Sequence, residues 1–294
     1  MLGATLFFRC PRPCTYTKTN DTGKTIMPAK TTMKLSIPTA LLTLFLNTEL
    51  TLASDFAKLD QTLPSNVSIL NTYPVFDFDT DGCLPSAGIS RLGQKNDGLN
   101  TSGKITGDCR SGNFLLTSNT MHRYVCKTSG GSQYCGHIYA LYFEKDQLFD
   151  YFGGGHRHDW EHAVVWTRNG VVTHGTYSSH GNQTTKPASE LPFENGHLKI
   201  VYHKDGVTTH AFRFAKSNEY AENPYGSFLT PTIVSWYQMV GDGLSNQQMR
   251  SRLNSFDYGS ANLPVKDSNF LNNINNGKPS GYPTFSSADV TASN

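Results

Sequence analysis

The densest chemistry in the sequence lies in Gly153-Gly-Gly-His-Arg-His-Asp-Trp-Glu-His162, with Asp146 a few residues before it. Three consecutive glycines let the backbone turn sharply and approach a bound group closely. If residues 158–166 form a strand, its two-residue period puts Asp159 and Glu161 on one face and His158, Trp160 and His162 on the other. Carboxylates side by side repel one another unless a cation sits between them, and oxygen ligands favour Ca²⁺ or Mg²⁺ over zinc. Asp146 and His156, on the chain leading into this strand, complete such a site directly or through water. The competing reading is a solvated cluster in which His158 and His162 are ordinary hydrogen-bonded residues.

Two enzymatic readings compete with the cation site. His158-Asp-Trp-Glu161-His162 formally matches H-x-x-E-H, an inverted zinc-peptidase signature. That chemistry needs a helix to bring both histidines to one face, whereas the triple glycine before and Ala163-Val-Val-Trp166 after read as strand. A glycoside hydrolase needs two carboxylates with separate acid and base roles, and neighbours on one strand face offer no such division. Both stay open as rivals to the cation site, and a zinc requirement with turnover would distinguish them from it.

A second acidic motif is Asp77-Phe-Asp79-Thr-Asp81-Gly82, with the alternate-carboxylate spacing of a calcium loop. Its twelfth position is Gly88, so it is not an EF-hand, and further ligands would come from elsewhere, with Asp97 and Asp108 as candidates. The alternative is a merely acidic turn.

These residues need a scaffold, and the sequence supplies strands. His137-Ile-Tyr-Ala-Leu-Tyr-Phe143, Ala163-Val-Val-Trp166, Gly170-Val-Val-Thr-His174, Leu198-Lys-Ile-Val-Tyr202 and Thr209-His-Ala-Phe-Arg-Phe214 are short, β-branched or aromatic, and bounded by turn residues. Asn169-Gly170 and Asp205-Gly206 are hairpin candidates, and the spacing predicts a mostly β, single-domain antiparallel sandwich with a few short helices and long ordered loops. Asp55–Leu70 reads as a polar, helical lead, 77–108 as a long loop in need of staples, Ser245–Ser251 as a short helix with a capping box, and Pro264–Asn294 as a surface-hugging tail.

The run from Leu35 to Leu46, broken by Pro38, is too short to span a bilayer. With Met33-Lys34 before it and small residues at 51–54 after it, residues 33–54 read as a secretory signal peptide. Residues 1–32 then form an extension upstream of the start; the rival is a transit segment, since residues 1–20 are basic and lack acids. The expected secreted chain, 55–294, retains Cys83, Cys109, Cys126 and Cys135. Their spacings do not suit a four-thiolate zinc site, so two disulfides are expected. Of the three possible connectivities, Cys83–Cys109 with Cys126–Cys135 closes both loops locally. Asn66, Asn100 and Asn182 stand in glycosylation triplets. The whole chain carries 25 basic and 23 acidic residues, net +2, with no basic block, so a nucleic-acid partner is not indicated.

Gly155-His-Arg-His-Asp-Trp-Glu161 resembles the signature heptapeptide of the necrosis- and ethylene-inducing-peptide-like proteins. The resemblance extends through His137–Gln147, Ser179-His-Gly181, Thr209-His-Ala211 and Ile233-Val-Ser-Trp236. It implies a secreted sandwich related to actinoporins and lectins, and a cytolysin, monomeric in solution, that binds the sugar head groups of plant glycosylinositol phosphorylceramides and damages the outer leaflet. A non-cytotoxic sugar or lipid binder of the same family is the alternative. It implies a divalent cation near Asp146, His156, Asp159 and Glu161, with Asp150 a substitute for Asp146 if the intervening loop is shifted. His158, His180 and His210 fall in matching blocks and are candidates for the head-group pocket. Asp77, Asp79 and Asp81 beside four cysteines resemble the family type with an additional calcium-binding segment, here 77–109, and a second disulfide.

Overall fold

The computed structural model describes residues 56–294. The segments read as extension and signal peptide, with Cys10 and Cys14, lie outside the described residues.

Two sheets form the predicted sandwich. After β1 (Val75–Phe78), the chain builds β2 (Asn119–Ser129), β3 (Ser132–Phe149), β4 (Gly153–Arg168), β5 (Val171–Ser179) and β6 (Asn182–Pro187) as consecutive hairpins. It continues through β7 (Phe193–Glu194), β8 (His197–Lys204), β9 (His210–Phe214) and β10 (Thr232–Ser235), then α1 (Asn246–Ser255), α2 (Phe270–Gly277) and α3 (Ser287–Ala292). The larger sheet runs β10-β2-β3-β4-β5-β6; in the smaller, β8 pairs with β1, β7 and β9. The Asn169-Gly170 turn forms as predicted, both residues taking positive φ (51° and 77°), which matches the twist of the flanking strands.

The antiparallel expectation needs one correction. β10 joins β2 and β1 joins β8 in parallel. The two strands of each pair are separated by long stretches of chain, so no tight hairpin dictates their direction.

β3 explains why the middle of the sequence is so apolar. Tyr139, Leu141 and Phe143 face the smaller sheet, packing with Phe76, Phe78, Ile200, Tyr202 and Phe212. The alternate residues Ile138, Ala140 and Tyr142 face a second core with Trp160, Val164 and Trp166. Both faces are covered, so the strand reads as a continuous hydrophobic run.

What covers the second face overturns the reading of 264–294 as a surface tail. Val265, Phe270, Ile274, Tyr282 and Phe285 are core residues. Phe270 and Ile274 lie one helical turn apart in an otherwise asparagine-rich stretch, a two-residue stripe too sparse to stand out. Asp55–Leu70 likewise is not helical where described: Leu59 and Ile69 are buried, and Thr62 bridges to Val234 in parallel. Pro64 disfavours helix at Leu63, and edge pairing outweighs local preference. The helix expected at 245–251 is α1, and Ser245 and Gln248 form the predicted capping box.

Both disulfides close as expected. Cys126 sits directly across from Cys135 in the β2–β3 ladder. Cys83–Cys109 staples the loop between β1 and β2.

Candidate functional site

The site forms where the β3–β4 hairpin runs past the end of β5. Asp146 and His156 are cross-strand partners, as are Phe143 and Asp159, but the ladder skips Glu144 and His158. His158 has φ 62°, so the alternation of side chains breaks there and His156 and Asp159 reach the same side. Gly155 permits the pairing: at φ 82°, a Cβ on it would lie 2.0 Å from the Asp146 carbonyl oxygen.

Among the described residues, one group of three side chains offers metal-ligating atoms within 4.8 Å of one another: Asp146, His156 and Asp159. Each is oriented by a neighbour. Asp146 is buried and accepts the His210 backbone N–H at 2.9 Å and its Nδ1 at 2.7 Å. His156 Nδ1 lies 2.7 Å from the His158 carbonyl oxygen. A carbonyl only accepts, so Nδ1 carries a proton, and in the tautomer that binds a metal the Nε2 lone pair faces Asp146 Oδ2, 4.0 Å away. Two acceptors facing each other at that distance suit a cation between them. Asp159 accepts the Tyr202 hydroxyl at 3.0 Å. Glu161, two residues along the same face, accepts the hydroxyl of Ser178, which in turn accepts the His162 N–H at 2.7 Å.

The electrostatics agree with the carboxylate argument. Burial, then the Asp146 charge, pushes the Asp159 carboxyl well above its usual range. Burial, then Asp159, does the same to Glu161. A divalent cation reverses this by favouring the charged forms.

A cavity of about 520 Å³ opens over these residues. Asp146, His156, Asp159 and Glu161 lie on one side, His180, Thr209 and His210 on another, and Asn262, Asn269, Asn272 and Asn273 from the C-terminal segment form a wall of amides. Trp160 and His162 also line it, and Trp160 Nε1 and His162 Nε2 have no hydrogen-bond partner among the described residues. Its size and mixed donors and acceptors suit a small polar molecule.

The other candidates distribute differently. His158 faces away from the cavity: it is buried, with Nδ1 2.6 Å from the Tyr142 hydroxyl, and burial pushes its pKa down to about 4. His210 lines the cavity but its ring is engaged by Asp146 and, at 3.1 Å, by the Asp81 carbonyl, which makes it a positioning residue. His180 stands at the rim, 3.2 Å from Asp205 Oδ2. Asp150 lies outside the cluster, its carboxylate accepting the Ile105 N–H.

Asp77, Asp79 and Asp81 do not gather their oxygens within metal-sharing range. Asp77 accepts the backbone N–H groups of Glu222 and Asn223 and the Asn223 amide. Asp79 pairs with Arg213 at 3.3 Å. The carbonyls of Phe78, Asp79 and Gly82 all accept from the Arg110 guanidinium. Tyr202, Ser178 and the asparagine wall were missed in the sequence; Tyr202 reads there as one more core residue of an apolar strand.

Residues 158–162 are strand, so the peptidase reading loses its required helix. The family model described as Necrosis inducing protein (NPP1) matches residues 68–277. The chain belongs to that family. It is 29% identical over 231 residues to NLP effector protein 10 of Phytophthora capsici, covering 75% of this chain and 87% of that protein. It is 24% identical to the necrosis-inducing protein NPP1 of Phytophthora nicotianae, covering 67% of this chain and 76% of that protein. Of solved structures, NLPPya in complex with mannosamine superposes with a TM-score of 0.61 at 25% identity, covering 77% of this chain and 98% of that one. The non-toxic HaNLP3 protein superposes with a TM-score of 0.61 at 23% identity, over 78% of this chain and 100% of that one. The relatives are named effectors and necrosis-inducing proteins, not enzymes.

Proposed function

We propose that this protein is a secreted, cation-dependent cytolysin that docks through its cavity on the sugar head groups of plant glycosylinositol phosphorylceramides and damages the outer leaflet without covalent chemistry. The observation that carries the reading is the convergence of Asp146, His156 and Asp159 on one side of a cavity with amide and histidine walls. These residues fit a Ca²⁺ or Mg²⁺ ion: two carboxylates, a histidine with a fixed lone pair, and Glu161 beside them. Bound there, the cation supplies a positive charge that orients sugar hydroxyls or a phosphate. The chain's own groups hold the rest: the asparagine amides that wall the cavity donate and accept. The amino-sugar complexes of NLPPya support a sugar ligand.

The test is dye release from vesicles with and without glycosylinositol phosphorylceramide, in Ca²⁺ and then in EDTA. Leakage that needs both lipid and cation is the expected result. Folded, cation-loaded protein that binds the head group but releases nothing would instead identify a non-cytotoxic sugar binder.

A further inference from the structure

His158 stands between the ligands of the candidate cation site, yet it lines no part of the cavity and is buried. Its φ of 62° is one that residues with a side chain seldom adopt. In an unbroken strand His156, His158 and Trp160 share one face and Asp159 takes the other, so His156 and Asp159 would point apart. Here they lie within metal-sharing range of each other. The left-handed residue makes the difference: the ladder pairs Arg157 with Lys145 and Asp159 with Phe143 and leaves His158 unpaired between them. The His158 carbonyl also accepts from His156 Nδ1 at 2.7 Å. One residue's backbone therefore orients the ligand before it and sets the face of the ligand after it.

A strained conformation persists only where its surroundings enforce it. Three contacts do so from outside the cavity. The hydroxyl of Tyr142, a buried residue of β3, lies 2.6 Å from His158 Nδ1. The Tyr258 ring packs edge-on against the imidazole, centroids 5.3 Å apart. Gly98 closes over the ring: at φ 64°, a Cβ on it would lie 2.6 Å from Nδ1. The loop that carries Gly98 is fastened to both strands. The Leu99 N–H donates to the Glu144 carbonyl at 2.7 Å, the Asn96 amide to the Glu144 carboxylate at 3.2 Å, and Arg157 to the Asp97 carbonyl at 2.9 Å. The same loop, stapled by Cys83–Cys109, braces the hairpin farther out, where the Tyr151 N–H donates to the Gly103 carbonyl and the Ile105 N–H to Asp150.

We infer that His158 is a positioning residue for the cation site that works through its backbone: the Tyr142 hydroxyl and the Gly98 loop hold it in the left-handed region, and that conformation brings His156 and Asp159 to one side. The imidazole is the handle by which it is held; it touches neither cation nor sugar. Gly98, Tyr142 and Tyr258 likewise stay out of the cavity, so the site is shaped from behind by groups that never meet a ligand. Histidine suits this task because it enters the left-handed region more readily than most side chains and its ring nitrogen gives the hydroxyl a partner. The inference rests on the cation reading proposed above.

The test measures Ca²⁺ affinity by calorimetry in wild type and three variants, with a thermal melt of each in EDTA to establish that it is folded. His158→Asn keeps the tolerance for positive φ, whereas His158→Val loses it because its Cβ is branched. Tyr142→Phe deletes only the hydroxyl. The expected result is Ca²⁺ binding weakened about tenfold or more in His158→Val, as when a metal ligand loses its orienting partner. His158→Asn should retain most of the wild-type affinity, and Tyr142→Phe should fall between. Equal losses in the asparagine and valine variants overturn the inference, because the imidazole and not the backbone would then matter. Wild-type affinity in His158→Val also overturns it. If the valine variant does not fold, Tyr142→Phe decides: weakened binding supports the positioning role and wild-type affinity overturns it. Wild-type protein that binds no Ca²⁺ overturns the cation reading and the inference with it, whereas a failure confined to the variants overturns the inference alone.

Discussion

His210 grips Asp146 twice, through its backbone N–H at 2.9 Å and its ring Nδ1 at 2.7 Å. The carboxylate is thereby fixed from β9 in the smaller sheet, while its own strand β3 belongs to the larger one. The candidate cation site is thus held across the sandwich.

That arrangement makes His210→Ala a test of positioning. Losing an orienting partner of a metal ligand weakens cation binding by roughly 10–100-fold. Calorimetric titration with Ca²⁺ measures it, and a parallel thermal melt separates weakened binding from loss of fold. Affinity equal to wild type in folded protein would remove His210 from the positioning role.

Asp159→Asn has opposite effects on binding and on stability. The carboxyl is pushed up by burial and by Asp146, so ionising it in the cation-free protein is unfavourable. A folded pKa above the unfolded one means that stability falls as pH rises through it. The variant should lose the Ca²⁺-induced rise in melting temperature yet melt no lower than wild type in EDTA at pH 7. In wild type, Ca²⁺ at a hundred times its Kd should add about 2.7 kcal/mol. A variant that keeps the Ca²⁺ shift would exclude Asp159 as a ligand.

The buried pair His122 and His137, 3.3 Å apart between β2 and β3, predicts acid sensitivity away from the site. Burial pushes the His137 pKa down to about 4 from 6.5. The unfolded chain therefore takes up a proton first as pH falls, and stability drops between about 6.5 and 4. For His137 the loss is on the order of 3 kcal/mol. Urea unfolding at pH 7 and pH 4.5 measures it, and His137→Phe should flatten the slope. An unchanged slope would assign the acid sensitivity to other groups.

Removing the staple of the hairpin-bracing loop is the fourth test. Cys83→Ala/Cys109→Ala opens a loop with a sequence separation of 26 and should cost about 2–4 kcal/mol. Hydrogen exchange should rise at Tyr151 and Ile105, whose N–H groups bond between loop and hairpin tip. Exchange unchanged at those amides would show that the hairpin orders itself without the staple.

Local pattern in the sequence determined much of this. Alternating and continuous apolar runs gave the strands, Asn169-Gly170 a turn, Ser245 and Gln248 a helix start, and cysteine spacing two local disulfides. The parity of a strand put Asp159 and Glu161 on one face, because side-chain direction along a strand is a local property. Tertiary structure decided the rest. The partners of Asp77 and Asp79 and of the carbonyls beside them, Asn223, Arg213 and Arg110, are each distant in sequence from the motif. His158 and His210 stand in similar-looking blocks, yet one turns into the core and the other orients Asp146. The C-terminal segment became core and cavity wall because the second face of the larger sheet had to be covered, and which segment covers it is a long-range choice that no short window of sequence encodes.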